Sequence, residues 1–140
     1  MESNLTAIFL KGISKRFGET EVLKDMNLNI ESGEFIVFLG PSGCGKSTTM
    51  RIIAGLEAAS EGDIEVDGVR INDLPARARD MAMVFQNYGL YPHMTVAQNI
   101  AYPLRLRGLD RKAQTAQVLE VAEKVQLTPY LERKPKALSG

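Results

Sequence analysis

The sequence predicts an α/β fold, a core of alternating strand and helix with an antiparallel β subdomain and the start of an α-helical subdomain attached. Three observations predict it. The first part alternates apolar and polar residues as half-buried strands do, the middle holds two short runs with no polar residue, and the last part takes up helical spacing. Antiparallel strands, then alternating strand and helix, then helices, is the element order of such a layered domain. A chain of 140 residues with 44% hydrophobic composition is long enough for one compact domain, or part of one.

The elements follow in order. "MNLNI" puts Met26, Leu28 and Ile30 on one face and Asn27 and Asn29 on the other, the period of a half-buried strand. The earlier stretch "LTAIFLKGI" pairs with it across a turn near Gly18. After the turn signal "ESG" comes "FIVFL", residues 35–39, a run without a polar face and so a strand expected to be buried on both sides. Residues 46–54 switch to helix. "DIEVDGVRI" sets Ile64 and Val66 against Val69 and Ile71 around Asp67-Gly68, a hairpin signal. "MAMVF", residues 81–85, is a second candidate central strand. Thr95 and Gln98 have capping-box spacing at the start of the next helix. A last helix, from about Asp110 to Gln126, carries Val118, Val121, Ala122 and Val125 on one stripe.

Lys plus Arg and Asp plus Glu both count 17, for a formal net charge of +0, and this balance argues against a nucleic-acid partner. The clusters Arg105/Arg107/Arg111/Lys112 and Arg133/Lys134/Lys136 read as solvated helix faces and ends. Cys44 is the single cysteine and has no internal disulfide partner. No apolar run approaches the ~18 residues that span a bilayer, so a membrane role comes through a partner.

Between "FIVFL" and the first helix lies "GPSGCGKST", Gly40, Pro41, Ser42, Gly43, Cys44, Gly45, Lys46, Ser47 and Thr48. It fits G-x-x-x-x-G-K-[ST] in the strand-to-helix context that gives this motif its meaning, which a chance Gly/Ser turn would lack. Backbone N–H groups that wrap a phosphate chain need glycines at 40, 43 and 45, because side chains there block the approach or forbid the dihedrals. The helix N-terminus favours the anion. Lys46 brings a full charge to the β and γ phosphates, and the Ser47 hydroxyl is a ligand for Mg²⁺. The motif names a nucleoside triphosphate without naming its use.

Two flanking features narrow that use. Phe17 stands on the turn between the antiparallel strands, where an aromatic ring can stack on a purine. Gln86 ends the run "MAMVFQ", where a side-chain amide can reach Mg²⁺ or an attacking water. Together, "FLGPSGCGKSTTMRIIAGLE", "MAMVFQNYGLYPHMTVAQNIAYPLRLRG" and the final "LSG" resemble the ATP-binding subunit of an ABC transporter over essentially the whole chain, most of all the importers of sugars and sn-glycerol 3-phosphate. The resemblance implies a P-loop NTPase core and makes residues 1–140 the N-terminal part of one nucleotide-binding domain. On it, Phe17 is the adenine-stacking aromatic, residues 40–48 the Walker A loop and Gln86 the Q-loop glutamine. Leu138, Ser139 and Gly140 open the LSGGQ signature that meets the ATP of a second subunit. Phe17 stands where Tyr is commoner, and Gly89 where Ala is usual.

The resemblance also implies partners and a location. ATP and Mg²⁺ are bound between two such subunits. Residues Gln86 to Met94, with the apolar and aromatic cluster Tyr88, Leu90, Tyr91, Pro92 and Met94, meet the membrane subunits; packing beneath the next helix is the competing reading of that cluster. An extracytoplasmic solute-binding protein takes part indirectly, and the subunit lies on the cytoplasmic face of the membrane. The family's Walker B strand ending in Asp-Glu has no match here, since no Asp-Glu pair occurs in the sequence. His93, the single histidine, stands too early to be the switch histidine and reads as a loop hydrogen-bonding residue. The chain is therefore expected to be an N-terminal fragment without turnover of its own. A pure ATP-binding module and a soluble non-transport ABC ATPase are the rival readings. Cys44 has no neighbouring base and reads as a passive loop position, and Met50, Met81 and Met83 as core filler.

Overall fold

The computed structural model describes residues 7–138, which fall into two compact units, one running through Met83 and the other beginning at Val84. In the first unit, β1 (Ile8–Phe17) and β2 (Thr20–Ile30) form a long antiparallel hairpin that closes with Phe17 opposite Thr20. A second hairpin, β3 (Glu61–Val66) and β4 (Val69–Arg70), pairs through β3 with the free edge of β1, giving one sheet in the order β2-β1-β3-β4. The Asp67-Gly68 turn is the expected one, with Val66 opposite Val69 and positive φ at both turn residues (51° and 78°), the twist that suits two-residue hairpin loops. Asp67 also accepts a hydrogen bond from the Ala7 amide through Oδ1 at 2.8 Å.

The core of this unit is aliphatic. Leu10 and Ile13 of β1, Leu23 of β2, Ile64 of β3 and Ile71 gather around Ile52 of α1 (Lys46–Ile53). Alternation along β2 holds: Met26, Leu28 and Ile30 are half-buried while Asn27 and Asn29 are exposed. Beyond β4, Asn72 continues the ladder with its side chain, accepting from Ile64 N at 2.8 Å and donating to Gly62 O at 2.9 Å. Arg79 then donates to the carbonyls of Ile52, Ile53, Asn72 and Leu74. A cation is thus fixed at the C-terminal end of α1, the favourable end for positive charge. Burial of this guanidinium pushes its pKa below the usual arginine value.

The two wholly apolar runs do not become buried central strands. Residues 35–39 and 81–85 enter no sheet among the described residues. In the first run Ile36 and Phe38 are half-buried, but Phe35, Val37 and Leu39 are 90%, 61% and 88% exposed; in the second, Val84 is 87% exposed. A two-sided strand needs a ladder on each edge to satisfy its N–H and C=O groups, and every strand pairing in the described sheet involves other residues. Met81 does pack against the core cluster, whereas Met50 is exposed on α1 rather than filling the core.

The second unit is helical. α2 (Val96–Leu106) starts at the expected capping box: the Thr95 hydroxyl accepts from Gln98 N at 3.2 Å, and the Gln98 side chain accepts from Thr95 N at 2.9 Å. α3 (Arg111–Lys124) is capped by Asp110, whose carboxylate accepts from Ala113 N at 2.8 Å. Its buried stripe is narrower than the pattern implied, since Val118 and Ala122 are buried but Val121 and Val125 are exposed. The segment after α3 returns to α2, where Leu131 and Arg133 offer carbonyls to Ala97 N and Val96 N at 2.9 and 2.7 Å. These bonds satisfy amides that a helix start leaves without intrahelical partners. Ser139 and Gly140 of the expected signature lie outside the described residues, as do Leu5 and Thr6 of the first strand stretch.

Candidate functional site

The glycine-rich loop is built from the first unit alone. Gly45 is the N-cap of α1 with φ +94°, a left-handed conformation, and a Cβ there would stand 2.6 Å from Leu23 Cδ2 and 3.2 Å from Val22 O. The loop is therefore seated on β2 just past the Phe17–Thr20 pair, and only glycine fits the seat. Thr49, buried in the first turn of α1, bonds back to Gly45 O through both its amide (2.9 Å) and its hydroxyl (2.8 Å). A turn closes the loop, with Cys44 N donating to Pro41 O at 3.3 Å.

Lys46 folds back over this loop. Its ammonium donates to the carbonyls of Gly40 and Pro41, the latter at 2.8 Å, and lies 3.4 Å from Cys44 Sγ. A Cβ on Gly40 would meet that sulfur at 2.6 Å, so a side chain there would make the Cys44 thiol turn away. Ser42, Gly43, exposed Cys44 and Ser47 line the solvent side, and Thr48 is half-buried. The first turn of α1 has no acidic residue and no side-chain cap. Its N–H groups are thus open to an anion, beside a lysine ammonium whose present partners are neutral carbonyls. The residues present fit a polyphosphate.

A divalent cation brought by that polyphosphate also fits. Among the described residues no cluster of His, Cys, Asp and Glu could hold a metal by itself, and Mg²⁺ in phosphate sites characteristically takes few protein ligands and several from phosphate and water. Ser47, exposed in the first turn, is the hydroxyl this unit offers to such a cation; Gln86 stands exposed at the start of a turn in the second unit. Each unit presents its own part of the expected set: Phe17 and residues 40–48 in the first, Gln86 and Leu138 in the second.

Phe17, the last residue of β1, is 48% exposed, and the Lys15 ammonium stands 4.8 Å from its ring centroid. Sequence reading passed over Lys15, although the i, i+2 spacing places both side chains on one face of the strand.

In the second unit, the turn after Phe85 is closed by Tyr88 N donating to Phe85 O at 3.0 Å, with Tyr88 in a left-handed conformation (φ 66°). Tyr88, Leu90 and Tyr91 are exposed, and Met94 is half-buried. Asn99 of α2 shapes this loop: it accepts from Tyr91 N at 2.9 Å and donates to the Tyr91 and Thr95 carbonyls at 3.1 and 2.9 Å. Tyr91 packs on Tyr102 with ring centroids 4.8 Å apart, and its ring stands 6.1 Å, edge-on, from that of exposed His93. A cavity of about 400 Å³ opens beside them, lined by His93, Gln98, Tyr102, Arg105 and Gln114 among others. Asn99 and Tyr102 were not legible as loop-shaping residues, because their partners are backbone groups and a ring brought near by the fold.

The ABC transporter family model matches residues 23–140. Among curated proteins, the chain is 52% identical over 136 residues to the sn-glycerol-3-phosphate import ATP-binding protein UgpC 1 of Rhizobium johnstonii, covering 97% of this chain and 37% of that protein. It is 51% identical to the alpha-glucoside transport ATP-binding protein AglK of Rhizobium meliloti (97% and 38% covered) and 49% identical to the maltose/maltodextrin import ATP-binding protein MalK of Salmonella typhimurium (97% and 37% covered). The chain thus spans little more than a third of the length of these relatives. Among solved structures, the ATP-binding cassette MJ0796, as a dimer in a post-hydrolysis state bound to ADP and Pi, superposes with a TM-score of 0.81 at 33% identity, covering 94% of this chain and 63% of that one. With its family model matched from β2 onward and its fold shared with an ATP-binding cassette, the chain belongs to the ABC transporter family.

Proposed function

We propose that the chain binds MgATP through the loop Gly40–Thr48, and that in a protein of its relatives' length the bound ATP is hydrolysed to energise import of a solute, a carbohydrate or a glycerol phosphate. The observation that carries this reading is the loop itself: Gly45 locked on Leu23, an acid-free helix start, and the Lys46 ammonium held over the loop by neutral carbonyls. Phosphate oxygens are stronger acceptors for that ammonium than the Gly40 and Pro41 carbonyls. In the proposed complex, N–H groups from Gly43 to Thr48 cradle the phosphates and Lys46 neutralises them. Ser47 and Gln86 contribute to the Mg²⁺ site, and Phe17 stacks on the adenine. Leu138, Ser139 and Gly140 would meet the nucleotide of a second ATP-binding subunit. Residues Gln86 to Met94, exposed at Tyr88, Leu90 and Tyr91, would meet the membrane subunits. Those subunits in turn work with a solute-binding protein outside the membrane, which places this subunit at its cytoplasmic face.

Binding and turnover separate in this chain. Hydrolysis needs groups that orient water against the phosphoryl group and stabilise its transfer, and the Asp-Glu pair that the family resemblance assigns to this work is absent from these 140 residues. The 140-residue chain is therefore expected to bind MgATP and not to turn it over. Calorimetry on Lys46→Ala tests the binding site: loss of a charge-assisted contact should weaken ATP by about 10- to 100-fold and leave adenosine nearly unchanged. Equal losses for both ligands would overturn the role of Lys46. Phosphate release by the wild-type chain that disappears in Lys46→Ala would overturn the separation of binding from turnover.

A further inference from the structure

We propose that Lys15 is a positioning residue for the nucleotide base, acting through Phe17; the inference rests on the reading that Phe17 meets the adenine. Lys15 is only 8% exposed, although it lies two residues from the turn at the closed end of the β1–β2 hairpin. Its ammonium is held at three points. It donates to Glu57 Oε1 at 2.7 Å and to Ala58 O at 2.6 Å, and it stands 4.8 Å from the centre of the Phe17 ring. Glu57 answers to this contact: the hydrogen bond from Lys15 is the leading cause that holds its carboxyl below the ordinary value.

The anchors matter because of where they sit. Glu57 and Ala58 lie just beyond the C-cap of α1, and Glu57 N donates to Arg51 O at 3.2 Å, so this segment is tied to the last turn of the phosphate-loop helix. Ser14 and Arg16, on either side of Lys15, are bonded to Ser60 through Ser60 N to Ser14 O (2.8 Å) and Arg16 N to Ser60 Oγ (3.0 Å). Lys15 therefore fixes the Phe17 ring relative to the helix that begins at Lys46, using one face of the ring and leaving nearly half of the residue accessible.

Two physical effects follow. A ring held in place before the ligand arrives loses less conformational freedom on stacking. A cation on the rear face draws π-density towards itself, which lowers the face-to-face repulsion that disfavours stacked aromatic systems. Lys15 acts through the ring and not on the base itself; it favours a nucleotide over a polyphosphate that has no base.

The test compares ATP with inorganic triphosphate, which has no base, by calorimetry on the 140-residue chain. Lys15→Met keeps most of the buried stem and removes the charge. It should weaken ATP by about three- to tenfold and leave inorganic triphosphate within about twofold. Lys15→Arg, which keeps a cation over the ring, should recover most of the loss. In a Phe17→Leu background, Lys15→Met should have no further effect on ATP. The chain contains no tryptophan, so Phe17→Trp adds a fluorescence signature: Lys15→Met should shift its emission and reduce its quenching by ATP. Should Lys15→Met fail to fold, Glu57→Ala removes the side-chain anchor of the ammonium and should give a loss of the same base-dependent kind. Equal weakening of both ligands, no weakening, or full additivity with Phe17→Leu would overturn the proposal. Phe17→Leu with unchanged ATP affinity would overturn the stacking reading on which it rests.

Discussion

Gly45 carries two demands at one atom. Its φ of +94° starts α1 from a left-handed turn, and the space its Cβ would need is filled by Leu23. Either alone disfavours a side chain; together they make the loop's seat on β2 intolerant of any substitution. Gly45→Ala is expected to destabilise the first unit by about 1–3 kcal/mol through backbone strain and displacement of Leu23, measured by urea unfolding. Nucleotide affinity should fall as well, because the N–H groups of α1's first turn move with Gly45. A Gly45→Ala chain of wild-type stability would show that the loop is not seated as described. Gly43, by contrast, has positive φ but nothing near its missing Cβ, so there only the conformation requires glycine.

At the level of elements, α2 shows how local chemistry fixes a functional loop. The Thr95–Gln98 box satisfies the helix start reciprocally, and Asn99 one residue on gathers Tyr91 and Thr95 around that start. Thr95→Ala should cost about 1 kcal/mol, read from chemical denaturation followed at the helical unit, and should speed amide exchange at Gln98 and Tyr91 together. Exchange changing at Gln98 alone would mean that loop and cap are independent. Thr95 and Gln98 were legible in the sequence because a capping box is a contact between residues three apart, as were the Asp67-Gly68 hairpin and the alternation of β2. The same holds for the phosphate loop, whose residues are contiguous. What sequence could not supply was anything long-range. Lys15 reaches Glu57 across 42 positions and Arg79 reaches Ile52 across 27, and neither leaves a periodic trace. The run "FIVFL" misled in the opposite direction: its composition reports an environment buried on both faces, but a strand exists only where partners complete its ladder, and none does among the described residues.

At the scale of the whole molecule, the bare apolar residues of the run 35–39 form a surface that solvent disfavours. Phe35, Val37 and Leu39 are each more than 60% exposed, and contiguous exposed apolar surface promotes association. The chain covers 37% of the length of the glycerol-phosphate and maltose relatives, so the other 63% of a protein of their length can cover these positions. That difference makes the two lengths distinguishable by one substitution. In the 140-residue chain, Val37→Lys places a charge where solvent already is and should change stability by no more than about 0.5 kcal/mol, while hydrophobic-dye binding and self-association fall. In a chain extended to the relatives' length, the same lysine should be strongly destabilising, because a charge taken out of water without a partner shifts or breaks its surroundings. Ile36→Lys, on the half-buried face, should destabilise both. Equal, small effects of Val37→Lys at both lengths would make residues 35–39 a true surface segment, and the apolar run would then need a partner outside the chain.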